Sequence, residues 1–409
     1  MKIGVLTFQM AHNYGAFLQC YSLVQKISKD FCGSTVEVIN FNSKEMKDYY
    51  SVKLIDLVFG RSNIRTKNIR RALSSAKQFF IKEAHDINYF QKRKEQAKRF
   101  SDSQILLPLS SNQLISDSYE AFVSFIQEAQ YDLIIVGSDA IWNDNQCLIY
   151  PNPYYLSKDI RALKVSYAAS TYGMQYKTLT EDYKKHILET LKTFDFIGIR
   201  DRETEKYLDF LGITEYLHTP DPSMFFPFDV IRTNEMLERL KKKLKRAGID
   251  VDQPIYAVMG GNWLGRIARN ALGNGKQLVA IYTQNRYADA FIADLHPFEW
   301  ACIFSLFTAT FTSYFHGTIF SLQNGVPTFT IEEASRYGKE YITKTKDLLS
   351  RLDLADYYFT LNNGDITDEI HQHLENITKH SQAIRIEAAL EKERGYYAPF
   401  YEALKNLGA

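Results

Sequence analysis

Cysteine is scarce. The four in 409 residues (Cys20, Cys32, Cys147, Cys302) form no CxxC pair and no metal-ligand spacing, so neither a disulfide framework nor a zinc site is supported. Long apolar runs are missing too: no stretch approaches the roughly 18 uninterrupted residues of a membrane span. The opening Met1–Phe8 run is too short for a signal peptide and lacks a cleavage-site pattern, so a reducing, cytoplasmic setting is expected. A charge surplus is absent: 49 Lys and Arg against 48 Asp and Glu leave a formal +1, which removes any whole-chain case for a nucleic-acid binder. There is no GxxxxGK[ST] loop, no GxGxxG at the first turn and no HExxH, so nucleotide hydrolysis, dinucleotide redox and zincin chemistry lose their usual signatures.

What is present is an alternation of buried strands and helices. Short apolar runs at Lys2–Phe8, Thr35–Phe41, Asp132–Ser138, Leu163–Ala169 and Phe194–Arg200 alternate with amphipathic segments, which argues for a parallel, doubly wound sheet. A break at Thr219-Pro220-Asp221-Pro222-Ser223 denies helix continuation, and the alternation restarts at Ile255–Met259, Gln277–Tyr282, Ala309–Ser313 and Pro327–Ile331. The expected architecture is α/β: two doubly wound, Rossmann-like domains facing a cleft, at residues 1–225 and 226–380, with a helical tail at 381–409. Residues 45–130 read as a helical insertion in the first domain with no comparable strand. Within it, residues 61–100 carry twelve Lys or Arg against three acids, a local +9 on a body of −8. A solvated helix face explains that run, and so does peripheral contact with an anionic membrane surface or a diphosphate-bearing acceptor. No recognisable nucleic-acid motif accompanies it.

Five loops at strand ends carry side chains suited to a site. His12-Asn13-Tyr14-Gly15 opens a helix whose N–H groups suit an anion, although glycine there also serves plain turn geometry. Ser138 and Asp139 follow a strand, where capping is the bland reading, and Trp142 offers a flat face. Tyr167-Ala168-Ala169-Ser170 is a small-residue strand end. Arg200 follows an apolar strand, where a guanidinium forks onto phosphate or carboxylate, or pairs with a neighbouring acid. His316, followed by Gly317 and Thr318, places a titratable imidazole at a helix start.

Taken together, Asn13-Tyr14-Gly15-Ala16 with Leu18-Gln19, Val136-Gly137-Ser138-Asp139 with Ile141-Trp142-Asn143, Tyr167–Ser170, Ile199–Glu203, Asp221-Pro222-Ser223 and Phe315-His316-Gly317-Thr318 with Phe320-Ser321 resemble the polysaccharide pyruvyl transferase family. The resemblance implies a GT-B-like fold. It also implies transfer of a pyruvyl unit from phosphoenolpyruvate to a sugar of a cell-surface polysaccharide (capsule or exopolysaccharide) or its lipid-linked precursor, as a ketal with release of phosphate. Phosphoenolpyruvate would be a co-substrate, with no further cofactor and no metal. By that resemblance Arg200, His316 and Asp139 are catalytic, and Asn13, Tyr14, Gly15, Ser138, Gly317, Thr318 and Ser321 hold the donor. Trp142, Asn143 and Tyr167 would meet the acceptor.

This chain departs from the pattern at Ser313 and Tyr314, where family members carry Asp and Ser, or an arginine two residues before the histidine, and at Ala140 where Gln is common. A replacement cation such as Arg286, Arg336 or Lys339 is then expected. A GT-B glycosyltransferase using a nucleotide sugar and a non-catalytic glycan-assembly subunit are the competing readings. The oligomeric state is left open by the sequence.

Overall fold

The computed structural model describes residues 1–44, 89–144, 149–333, 340–361, 366–379 and 382–408. Two parallel sheets organise the chain. The first holds β1 (Lys2–Leu6), β2 (Thr35–Asn42), β3 (Leu109–Ile115), β4 (Leu133–Val136), β5 (Leu163–Ala169), β6 (Phe196–Ile199) and β7 (Leu217–His218) in the order β3-β2-β1-β4-β5-β6-β7. The second holds β8 (Ile255–Met259), β9 (Gln277–Ile281), β10 (Ala290–Ile292), β11 (Ala309–Thr312), β12 (Thr328–Glu333) and β13 (Tyr358–Leu361) in the order β10-β9-β8-β11-β12-β13.

Every strand anticipated from an apolar run is a strand. The described residues hold four more: β3, β7, β10 and β13. Three of these are sheet edges (β3, β10, β13) and β7, only two residues long, closes the remaining edge. Edge strands need no continuous apolar run, because one flank faces away from the sheet. β3 corrects the expectation of a helical insertion with no comparable strand: Leu-Ser-Ser-Asn-Gln-Leu-Ile is too polar to announce itself, yet it pairs with β2 through Asn40–Gln113 and Phe41–Leu114. Residues 45–88, with most of the basic stretch, lie outside the described residues.

In both sheets the strand order reverses between neighbouring strands, at β1/β4 and at β8/β11. A crevice opens outside the carboxyl ends at such a point, because the flanking crossovers run to opposite faces. The helix Tyr14–Asp30 bridges the two halves. Its Tyr14 hydroxyl donates to the Leu295 carbonyl at 2.8 Å, and its Tyr21 ring meets Phe298 at 4.8 Å. The C-terminal helix Ala398–Asn406 returns to the first sheet, with Phe400 edge-on to Tyr167 at 4.6 Å. Among the described residues no helix is long and apolar enough to cross a membrane.

Candidate active site

At the β4 turn Gly137 has φ +126°, and a Cβ there would strike the Tyr167 carbonyl oxygen, so glycine is dictated by close approach as well as by the dihedral. The turn delivers Asp139, itself at φ +86°, to the end of the sheet. Arg200 directly follows β6, and Asp201 caps the next helix by accepting from the Thr204 N–H at 3.0 Å. The Pro-flanked break supplies Asp221, buried, with its Oδ1 accepting from the Ser223 N–H and hydroxyl. From the second sheet, β11 leads through Ser313 and Tyr314 into the helix Phe315–Gln323, which presents His316 in its first turn.

These groups converge. Arg200 Nη1 donates to Asp221 Oδ2 at 2.7 Å and to Gln19 Oε1 at 3.4 Å, while Nη2 reaches Asp139 Oδ1 at 3.5 Å. The guanidinium also lies 4.9 Å over the Phe315 ring, on the other half of the molecule. His316 Nε2 stands 3.2 Å from the same Gln19 oxygen and 3.8 Å from Asp221 Oδ2. With that oxygen accepting from Arg200, Nε2 is the protonated ring nitrogen. Gly15 makes the approach possible, since a Cβ there would collide with the imidazole.

A lysine completes the cluster. Lys344, first residue of the helix Lys344–Arg351, places Nζ 3.9 Å from Asp139 Oδ1, 4.8 Å over Tyr172 and 4.9 Å over Phe315. Burial would raise the Asp139 carboxyl, but Lys344, Arg200 and His316 hold it below the usual carboxylate range. Burial likewise opposes ionisation of Asp221, and His316 and Arg200 outweigh it, keeping that carboxyl well below the usual range. Lys344 is pushed down, first by burial and then by the neighbouring Arg200, against the pull of Asp139 and Asp221.

A cleft of about 570 Å³ lies over this cluster, lined by groups including Asn13, Gly15, Tyr172, Tyr314, His316 and Lys344. Arg200 is behind its wall. Of the two readings, a fork onto a ligand or a pair with a neighbouring acid, the second is seen: both terminal nitrogens go to Asp221, Gln19 and Asp139, and only its buried Nε has no partner among the described residues. Among the described residues Lys344 is the cation that lines the cleft, beside the His316 imidazole. Of the cations expected to substitute for the family arginine, Arg286 hydrogen-bonds the Tyr287 hydroxyl on the surface, and Arg336 and Lys339 lie outside the described residues.

Other expected residues divide clearly. Asn13 and Gly15 line the cleft, but the first N–H groups of that helix are not open to an anion, because Asn13 Oδ1 accepts from Gly15 and Ala16. Tyr14 braces the two halves. Ser138 is buried, its hydroxyl without a partner among the described residues. Gly317 packs on Thr312 and Met259, Thr318 hydrogen-bonds Thr330 within the core, and Ser321 bonds Thr310. The acceptor set is corrected most. Trp142 is fully buried, stacked on Tyr155 with its indole N–H on the Tyr154 carbonyl; Tyr167 is buried against Phe400. Neither ring is open to a sugar. Asn143 donates to the Tyr172 carbonyl at 2.6 Å and so supports a cleft residue from behind.

Sequence reasoning left Gln19, Asp221, Tyr172 and Lys344 unassigned. Gln19 carries a signal, since it falls one helical turn after Gly15 and therefore on the same face. Lys344 carries none: it is a lysine after a capping threonine, and only the packing of its helix reveals it.

Comparison with known structures shows the same architecture at low identity. The UDP-GlcNAc 2-epimerase of Neisseria meningitidis, bound to UDP-GlcNAc, matches with a TM-score of 0.51 at 11% identity over 99% of this chain and all of that one. Anabaena HepE, in complex with UDP, gives 0.52 at 10% over 99% and 100%. The UDP-GlcNAc 2-epimerase of Methanocaldococcus jannaschii gives 0.50 at 9% over 93% and 92%. The fold is thus of the two-domain GT-B type. No curated protein sequence matches the chain. The model of the polysaccharide pyruvyl transferase family matches residues 13–335, an interval that contains Gln19, Asp139, Arg200, Asp221 and His316, and the chain belongs to that family.

Proposed function

We propose that this protein transfers the pyruvyl unit of phosphoenolpyruvate to two hydroxyls of a sugar in a cell-surface polysaccharide or its precursor, forming a cyclic ketal and releasing phosphate. The observation that carries the reading is the pair His316 and Lys344 at the cleft, backed by Arg200 and drawn from both sheets. Phosphoenolpyruvate bears a carboxylate and a phosphate, and both call for cationic donors in a partly dry site.

The chemistry balances as follows. A proton added to the methylene carbon makes it a methyl group and leaves C2 electrophilic, and one sugar hydroxyl adds there and gives up its proton. The second hydroxyl then displaces phosphate from C2, its proton leaving with phosphate or returning to the acid. Lys344 holds an anionic group of the donor. His316 carries the proton, being the side chain suited to exchange near neutral pH. Arg200 acts behind them: with Gln19 and Asp221 it fixes the imidazole. Asp139, held ionised by its cations, is better suited to seating Lys344 than to taking a hydroxyl proton.

The test is phosphate release from phosphoenolpyruvate over a panel of sugars and lipid-linked sugars. Acceptor-dependent release supports the reading. Saturable binding of a UDP- or GDP-sugar without binding of phosphoenolpyruvate would favour nucleotide-sugar chemistry, which at present rests on fold alone. Acceptor binding without turnover, indifferent to His316→Ala, would mark a non-catalytic subunit. Work at a membrane face through residues 61–100 is part of the same proposal, read out by vesicle co-sedimentation.

A further inference from the structure

The second sheet gives the cleft a chemistry unlike that of the cationic cluster. Strands β9, β8, β11 and β12 are neighbours in that order, and each delivers cleft-lining residues at its carboxyl end. Tyr282 follows β9, Trp263 lies beyond β8, Tyr314 follows β11, and Glu332 and Glu333 end β12. Three inter-strand spacings make this rim roughly 14 Å long, enough for two pyranose rings. The Tyr314 ring meets Tyr282 edge-on at 5.8 Å, and Tyr314 is 36% exposed although it is large and largely apolar. Behind them Trp300 also lines the cleft, and its buried indole N–H has no partner among the described residues.

Aromatic faces beside carboxylates suit a carbohydrate. The C–H faces of a pyranose bury apolar area against flat rings, and its hydroxyls donate to carboxylate oxygens. The same pair of carboxylates repels a ligand of like charge in a partly desolvated cleft. An acidic sugar would therefore be disfavoured on this rim, whereas the anionic donor is drawn to Lys344.

We propose that Trp263, Tyr314 and the Glu332–Glu333 pair form the acceptor subsite and select an uncharged sugar over an acidic one. The role as acceptor rests on the transfer reaction proposed above; the binding itself does not.

Intrinsic fluorescence tests it directly. The chain has three tryptophans; Trp142 is 0% exposed and lies away from the cleft, which Trp263 and Trp300 line, so a sugar-dependent change reports the cleft and its loss in Trp263→Phe assigns it to Trp263. The full chain is titrated, without phosphoenolpyruvate, with methyl glycosides and disaccharides of neutral hexoses and N-acetylhexosamines, and with the matching uronides. Saturable quenching by a neutral sugar is expected, with uronides at least tenfold weaker and the gap falling below threefold in the Glu332→Gln, Glu333→Gln double variant. Tyr314→Ala should weaken neutral binding at least fivefold and Tyr314→Phe should restore it, with circular dichroism unchanged. Absence of quenching by every neutral sugar, equal binding of uronides, or indifference to Tyr314→Ala would overturn the proposal. Phosphate release measured in parallel separates the two claims. The expected binding pattern with no release would end the transfer reaction and leave the subsite standing. Release with an acceptor KM indifferent to Tyr314 and to sugar charge would do the reverse.

Discussion

Lys344 Nζ lies 3.9 Å from Asp139 Oδ1, so a lysine from the second half of the molecule meets a carboxylate at the end of the first sheet. Both are tied into one electrostatic cluster with Arg200, Asp221 and His316. The cluster thus draws its members from both halves of the molecule.

Removing that cation should abolish donor handling. Lys344→Ala is expected to lower kcat/KM for phosphoenolpyruvate by at least about a hundredfold, or about 2.7 kcal/mol, without loss of fold. Because burial pushes Lys344 below the ordinary lysine value, activity should fall on the alkaline side before pH reaches about 10.4. Lys344→Arg, if active at all, should move that limb upward. An alkaline limb unchanged between lysine and arginine would take Lys344 out of the pH profile.

His316→Ala should reduce phosphate release by at least about tenfold, equivalent to about 1.4 kcal/mol in the barrier. Gly15→Ala should act on the same group from the other side, since its methyl occupies the imidazole's place. A Gly15→Ala enzyme with unchanged turnover would show that the ring is not seated there in solution.

Asp221 is the structural keystone. Asp221→Asn leaves Arg200 buried without its closest counter-charge and should cost about 3–5 kcal/mol in urea unfolding. Its carboxyl is depressed in the folded state, so its contribution is present above the ordinary carboxylate range and is lost as pH falls through and below about 4. Wild-type Tm should therefore decline with acid more steeply than that of the variant. Parallel declines would refute the assignment.

Trp142 belongs to the core, not the cleft. Trp142→Ala should destabilise by about 3–5 kcal/mol through cavity formation, and Trp142→Phe should leave the KM for any acceptor unchanged. A raised acceptor KM in Trp142→Phe would return the residue to the acceptor site.

How the sequence and the structure divide the credit can be seen residue by residue. Central strands such as Leu133–Val136 and Ile255–Met259 are buried on both faces, so they must be continuous apolar runs, and their order in the chain announces the doubly wound plan. Edge strands escape that rule, which is why β3 was invisible. Arg200 and His316 were legible as polar groups after apolar strands, the place where this plan sets a site. Trp142 and Tyr167 misled, because an aromatic near a strand end reads the same whether it faces ligand or core.

The amino-acid sequence by itself determined the two parallel sheets, the crevice at their carboxyl ends and the family motifs around it, since these follow from local hydrophobic period and turn chemistry. Tertiary structure alone decided which charges meet. Lys344 reaches Asp139 from 205 positions away along the chain, and Gln19 joins Arg200 to His316 across 181 and 297. Coulomb and hydrogen-bond interactions act over a few ångströms of space, and no local pattern encodes which distant residues will be brought within that reach.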